Sequence, residues 1–147
     1  MEKQKVSFDS PSVHSYLSIL QSVISRMATN SSSCKTWCIT LVSAIVVIIA
    51  DKGKPHYVGI SAVPIVLFLL LDSYYLSLER QFRTVYNDFI RKLHFGTATV
   101  EDVFYVAPRG GAAVTSMNIL RATGSISVWS FYALLAVMLL VVRMWIL

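Results

Sequence analysis

Residues 57–75, YVGISAVPIVLFLLLDSYY, run directly into residues 76–94, LSLERQFRTVYNDFIRKLH, and this join decides the fold. The first stretch is apolar between tyrosine-marked ends and would be about 26 Å long as a helix, close to the thickness of a bilayer's hydrocarbon core. In the second stretch apolar residues recur every three or four positions, at Tyr75, Leu78, Phe82, Val85, Phe89 and Leu93. That spacing is typical of an amphipathic helix. One helix is therefore predicted to leave a membrane and continue into water.

A similar pair of segments occurs near the start of the chain. Serine at position 10 and proline at position 11 predict a helix start, because serine is a common N-cap and proline fits the first helical position. Residues 11–28 are predicted to form an amphipathic helix whose apolar stripe comprises Val13, Leu17, Leu20, Ile24 and Met27. Polar residues 30–33 predict a bend or a weak point. Residues 31–50 are predicted as the first span, with Lys35 reaching the membrane surface.

The charged turn at residues 51–56 reverses the chain, so the two pairs form one long helical hairpin. Pro64 indicates that the second helix either begins just before it or bends there. Because the two amphipathic stripes, 11–28 and 76–94, then run antiparallel outside the bilayer, we expect them to face each other and close a small core.

A third span is predicted over residues 125–147, framed by Trp129 and Trp145. Between the hairpin and this span, segment 96–124 has a possible short helix start at 97–102 and a loop signal at 108–111, and no regular element is assigned there. The predicted fold class is an all-α membrane protein, one membrane domain with three transmembrane helices.

Composition and charge agree with a membrane protein. Hydrophobic residues make up 55% and charged residues 14% of the chain, against about 45–50% and about 25% in soluble domains. This excludes a disordered chain, a disulfide-stapled domain and almost every soluble enzyme fold. All but three of the 13 lysines and arginines fall on the cytoplasmic side if the amino terminus is cytoplasmic, the exceptions being Lys52, Lys54 and Arg143. The positive-inside rule therefore favours that orientation, and the net charge does not require a nucleic-acid partner.

Residues with catalytic or metal-binding potential are scattered. Cys34 and Cys38 share a helical face but have no second pair at zinc spacing, and the three histidines, at 14, 56 and 94, lie in three different segments. No nucleophile elbow, P-loop, dinucleotide fingerprint or metalloprotease motif occurs. We expect a protein that is not an enzyme and has no cofactor and no metal.

Asp72 is the most informative residue, because it follows a long apolar run and lies within one turn of the predicted membrane boundary. It could face a water-filled conduit, pair with a cation such as Lys35 on the neighbouring span, or simply mark where lipid ends. Arg143 shares a helical stripe with Ala133 and Ala136, whose small side chains would let another helix approach. Asp72, Ala133, Ala136 and Arg143 are the predicted pore or assembly lining; for Arg143 a snorkelling side chain is the alternative.

Two groups of residues could contact a ligand or a partner. Arg80, Arg83, Arg91 and Lys92 make the 76–94 helix basic, so it could hold anionic lipid headgroups or an acidic protein. Arg109, Gly110 and Gly111 combine a cation with exposed backbone amides that could cradle a phosphate, although a Gly-Gly pair is chiefly a flexible loop.

Several sequence blocks resemble a family. Residues 24–31 (ISRMATNS), 35–44 (KTWCITLVSA) and 71–83 (LDSYYLSLERQFR) are similar to signature blocks of small bacterial multi-span membrane proteins encoded beside TIR-domain and other antiphage defence genes. Residues 127–132 are similar to the start of that family's last span, whereas segment 96–124 departs from it. The resemblance implies a transmembrane effector in the bacterial inner membrane, held silent until a TIR-domain or other soluble sensor, or its nucleotide product, triggers it.

We therefore expect an effector that forms homo-oligomers in the lipid bilayer and permeabilises or depolarises it, because three spans of one chain cannot enclose a wide pore. The alternative is a membrane anchor or scaffold that docks a cytoplasmic partner without conducting. A small proton-coupled transporter would rest on Asp72 alone and lacks the inverted repeat usual in such folds.

Overall fold

Four α-helices make up most of the computed structural model, which describes residues 5–53, 55–107 and 112–146. They are α1 (Pro11–Lys52), α2 (Ala62–His94), α3 (Ala112–Thr123) and α4 (Ile126–Ile146), with short 3₁₀ helices at Pro55–Ser61 and Val100–Asp102. Within the described ranges no β-strand occurs, only an isolated bridge between Lys5 and Thr99. The predicted all-α class is confirmed.

Helix α1 is a single helix of 42 residues, about 63 Å long. It begins at Pro11 as predicted, with Ser10 at the N-cap. The bend or weak point expected at residues 30–33 is wrong, since the helix passes through them uninterrupted. The reason is a tertiary contact: Ser31 is buried and its hydroxyl donates to a side chain of α2, so it does not compete for its own backbone. The helix ends where Gly53 adopts a left-handed φ of 60°.

Helix α2 runs without interruption across the join at residues 75 and 76, as the sequence predicted. Its start differs from the prediction at residue 57, because the chain first forms the 3₁₀ helix Pro55–Ser61 and becomes α-helical at Ala62. Pro64 consequently lies in the first turn, where a proline removes no hydrogen bond. Of the two possibilities for Pro64, a helix start just before it is therefore the observed one.

The amino-terminal half of α1 packs against the carboxyl-terminal half of α2 in a cluster that we call the head core. Its buried members are Val13, Tyr16, Leu20, Ile24, Phe82, Val85, Phe89, Leu93 and Ala98. The rings of Tyr16 and Phe89 meet edge to face with centroids 4.7 Å apart. The Tyr16 hydroxyl also donates to the Tyr105 carbonyl at 2.7 Å, which ties the segment after α2 to α1. The predicted meeting of the two amphipathic stripes is confirmed.

The other halves of α1 and α2 pack against α4 in a second cluster, the span core. Its buried members are Cys38, Val42, Ile49, Val58, Val128, Tyr132, Leu135 and Leu139. Three helical stretches are long and apolar enough to cross a membrane, within Pro11–Lys52, Tyr57–His94 and Ile126–Trp145. Only 22%, 28% and 22% of their most apolar windows are buried inside the protein. Most of the apolar surface of these three stretches therefore faces outward, and such a surface is more stable against lipid tails than against water.

Segment 96–124 contains structure that the sequence did not assign. Helix α3 covers most of its second half and packs on α2. The helix start expected at 97–102 is a single 3₁₀ turn, in which Thr99 and Asp102 form a capping box. The predicted loop at 108–111 lies outside the described residues.

Replacing Leu20 with alanine tests the head core. Leu20 is fully buried, so Leu20→Ala should lower the free energy of unfolding by about 2–5 kcal/mol through lost contacts and the cavity left behind. Ile19→Ala is the matched control, because Ile19 is 41% exposed on the same helix. Thermal unfolding in detergent measures both. Equal losses for the two variants would contradict the assigned core.

Asp102 predicts a loss of stability in acid. Burial acts to raise the pKa of Asp102, but hydrogen bonds from Lys92 and Thr99 outweigh burial and hold the pKa below its ordinary value of 3.8. The charged carboxylate therefore stabilises the fold above about pH 4, and this contribution is lost as the pH falls through the lowered folded-state pKa. Asp102→Asn should reduce stability at pH 7 and flatten its dependence on pH below 4, measured by unfolding across that range. If the stability of Asp102→Asn depends on pH below 4 as steeply as that of the wild type, this role of Asp102 is contradicted.

Candidate functional site

A buried ion pair joins α1 to α2 between the head core and the span core. Ser31 and Lys35 lie one turn apart on α1 and face Asp72 on α2. Lys35 Nζ is 2.6 Å from Asp72 Oδ2, and the Ser31 hydroxyl donates to Asp72 Oδ1. Lys35 Nζ also lies 3.5 Å from the Ser31 hydroxyl, so the three side chains form a closed triangle. Both carboxylate oxygens of Asp72 are engaged from the same helix.

The burial of Asp72 makes its ion pair with Lys35 energetically important. The Asp72 side chain has no exposed surface, whereas 21% of the Lys35 side chain is exposed. A buried carboxylate without a counter-charge costs several kcal/mol, and that cost rises in a membrane. The approach of Lys35 to Oδ2 is close but is not aligned as a hydrogen bond, so the contact is chiefly an ionic attraction. Lys35 therefore neutralises Asp72 while part of its own side chain stays exposed.

Helix α4 brings a third group to the same place. Tyr132 is 3% exposed, and its phenol lies within electrostatic reach of Asp72, although its hydroxyl makes no aligned hydrogen bond. Ser73 and Ser77 are also buried beside this level of α2, and the Ser73 hydroxyl donates to the Leu69 carbonyl at 2.7 Å. A polar layer thus crosses the protein where its two apolar cores meet, and all three long helices contribute to it. We call Ser31, Lys35, Asp72 and Tyr132 the junction cluster.

The chemistry available to the junction cluster is electrostatic. The part of the chain that the structure describes holds no group of three histidine, cysteine or acidic side chains suited to a metal ion. Cys34 and Cys38 are free thiols and buried, and Cys38 belongs to the span core. With a carboxylate on α2 paired to an ammonium on α1, the cluster is suited to holding these two helices in register or releasing them.

The three interpretations of Asp72 can now be compared with its position. The pairing with Lys35 is the observed arrangement. Among the residues that the structure describes, the carboxylate is fully buried, so no open water path reaches it there. Its predicted role in lining an assembly of several chains stays a prediction.

The other predicted lining residues lie along α4. Ala133 is partly buried, Ala136 is exposed, and Arg143 is exposed near the helix end. Ala136 and Arg143 border an apolar groove of about 290 Å³ between α4 and the start of α2, together with Val58, Ala62, Val66 and Leu140. We call this the outer groove. Neither Asp72 nor Ala133 lines it, so the structure brings together only Ala136 and Arg143 of the four residues predicted as one lining.

The predicted contact residues of α2 are mostly paired with acids. Arg83 contacts Glu79 at 2.5 Å, Arg91 contacts Asp88 at 2.7 Å, and Lys92 contacts Asp102. Arg80 instead donates to the Ser125 hydroxyl at 2.8 Å. Arg109, Gly110 and Gly111 lie outside the described residues.

Sequence reasoning missed two members of the junction cluster. Ser31 was interpreted as part of a helix-weakening run, and Tyr132 only as part of a span. A helical projection offers one signal for Ser31, because it lies one turn before Lys35 and hence on the same face. No local pattern indicates Tyr132, which is brought to Asp72 by the packing of α4.

Comparison of the chain with protein-family models, with characterised proteins and with solved structures finds no significant match. The assignment of function therefore depends on the arrangement of residues within this chain.

A double-mutant cycle tests the junction cluster. Lys35→Met leaves a fully buried carboxylate unpaired and should destabilise the protein by about 3 kcal/mol or more. Asp72→Asn should cost less, because the partly exposed lysine that remains can turn to water. The double variant should recover most of the loss caused by Lys35→Met. Unfolding in detergent gives the three values, and additive losses would show that the two charges do not interact.

Proposed function

We propose that the chain is a multi-pass membrane effector of the bacterial inner membrane. In this proposal its amino terminus is cytoplasmic, it assembles with copies of itself, and it permeabilises or depolarises the membrane when a soluble sensor or the sensor's nucleotide signal engages the head core. The resemblance to membrane proteins encoded beside TIR-domain and other antiphage genes supplies the biological setting, defence against phage.

The observation that carries the proposal is the continuity of α1 and α2 through both cores. The same two helices form the head core and the span core, with the junction cluster between them. A helix transmits a displacement along its length, so a partner that repacks the head core would change the relation of the spans. The buried ion pair would oppose that change until the new packing compensates for its loss.

The closed interior of one chain argues that activity needs several copies. The span core is filled by side chains, and Asp72 is sealed from water. A conducting path would therefore have to form between protomers. The outer groove supports such contacts, because the small side chain of Ala136 lets another helix approach while Arg143 stays at the rim.

Bulk added at the outer groove should block assembly and activity. Ala136→Phe should weaken association by about 1–3 kcal/mol, which is roughly 5- to 150-fold. Leu134→Phe is the matched control, because Leu134 is 71% exposed on the opposite side of α4. A voltage-sensitive dye in expressing bacteria reports depolarisation, and cross-linking in the same membranes reports assembly. Depolarisation that persists when Ala136→Phe abolishes cross-linking would contradict an assembled pore.

A membrane anchor or scaffold is the second candidate. It is favoured by aromatic side chains exposed on the head, at Phe8 (56%), Phe95 (69%) and Phe104 (56%). Large aromatic side chains of this kind are typical of partner-binding surfaces. If the chain stays monomeric and causes no leakage from vesicles in the presence of its partner, the result supports the anchor over the effector.

A further inference from the structure

A small polar cleft lies between α2 and α3, away from the junction cluster. Its volume is about 160 Å³, and it is lined by Ser77, Arg80, Gln81, Thr84, Asn118 and Arg121. All six side chains are polar, two are arginines, and none is acidic. The volume is below the roughly 300–1,000 Å³ of sites for drug-sized ligands, so the cleft suits one small anionic group.

The two arginines of this cleft differ from the other cations of α2. Arg83, Arg91 and Lys92 each contact a carboxylate. Among the residues that the structure describes, neither Arg80 nor Arg121 has an acidic partner within ion-pair distance. Arg80 uses one of its five N–H donors on the Ser125 hydroxyl, which fixes the guanidinium at the cleft and leaves the other donors available. Two positive charges therefore stand uncompensated at one polar site.

The hydrogen bond from Arg80 to Ser125 indicates where the cleft lies relative to the bilayer surface. Ser125 immediately precedes α4, the third span, and Trp129 is 66% exposed one turn further along it. Tryptophan prefers the headgroup level of a bilayer, so Arg80 lies just on the water side of that level. Helix α3 also exposes Met117 (58%) and Leu120 (78%), apolar side chains that lipid can accept at the same boundary. The cleft therefore opens where lipid phosphates are found.

We infer that the cleft between α2 and α3 binds a phosphate group, supplied by an anionic lipid of the leaflet on the head side. Arginine is the side chain best matched to phosphate, because its planar fork donates two parallel hydrogen bonds. Asn118 adds a neutral amide donor at the same space, whereas the Gln81 amide donates to Ser77 and the Thr84 hydroxyl donates to the Arg80 carbonyl. A free phosphate offers the same chemistry, and only the attached acyl chains distinguish the lipid. The inference requires that the spans cross a membrane, and it holds whether the chain is an effector or an anchor.

Lipid binding to the purified full chain in neutral detergent tests the site. Phosphatidylglycerol should raise the melting temperature, and phosphatidylcholine should raise it much less, because its headgroup is neutral overall. Each arginine near an anionic surface contributes about a fivefold gain in affinity. Arg80→Gln together with Arg121→Gln should therefore weaken the phosphatidylglycerol titration roughly 25-fold.

The matched control combines Arg83→Gln with Arg91→Gln. It also removes two positive charges, and both of them lie on α2 outside the cleft. This variant should weaken the titration much less than the cleft variant does, because Arg83 and Arg91 each contact a carboxylate and lie outside the cleft. An equal loss in both double variants, or equal effects of the two lipids on the wild type, would overturn the site. The readout is the change caused by lipid, so a lower starting melting temperature from the lost Arg80–Ser125 bond does not obscure it.

Inorganic phosphate at matched concentration separates the two sources. No shift with phosphate, together with a shift from phosphatidylglycerol, supports the lipid. A phosphate shift as large as the lipid shift, abolished by the cleft variant alone, would overturn the lipid assignment in favour of soluble phosphate. Membrane depolarisation is not measured in this experiment, so its failure and the failure of the effector proposal are distinguishable.

Discussion

The attraction between Asp72 and Lys35 is the constraint around which the three long helices are arranged. A carboxylate with no exposed surface requires a counter-charge at contact distance, and the 2.6 Å approach of Lys35 provides it. That requirement fixes the axial register of α1 against α2, since a shift of one turn would separate the charges by about 5.4 Å. With the register fixed, the apolar stripes on either side of the pair meet their partners. The head core and the span core are thus consequences of one alignment.

This alignment places a polar layer between two apolar clusters. Apolar contacts are non-directional, so an apolar seam alone distinguishes one register of two helices from another less sharply than a buried charged pair does. The polar layer sharpens that distinction, because sliding would strand Asp72, Ser31 and Tyr132 in apolar surroundings. A molecule built in this way has one strongly preferred arrangement, and any second arrangement must supply a new partner for the carboxylate.

Much of the fold could be predicted from residues 57–94 because helical periodicity and apolar length are local properties of the sequence. The apolar third helix followed from the same reasoning, whereas the pairing of Lys35 with Asp72 was one of three possibilities that the sequence left open. The uninterrupted path through residues 30–33 could not be predicted, because propensity at Ser31 is overridden by a hydrogen bond to a residue 41 positions away. Helix α3 was missed since its 12 residues carry a short and mixed pattern. Tyr132 joins the site through packing of α4, which no local spacing encodes.

The length of α1 and α2 places the base of the head, near Arg80, and its tip, near Lys92, in different electrostatic surroundings. The 42 residues of α1 span about 63 Å, roughly twice the hydrocarbon core, so in the proposed topology the head core lies outside the lipid. Lys92 lies 20 residues beyond Asp72 along α2, about 30 Å away, whereas Arg80 lies about 12 Å away. The Debye length in cells is about 8 Å. In the proposed topology Arg80 lies beside the headgroups and feels a change in the charge of the leaflet. The Lys92–Asp102 pair lies about 18 Å further along α2, more than two Debye lengths away, so the same change is largely screened there.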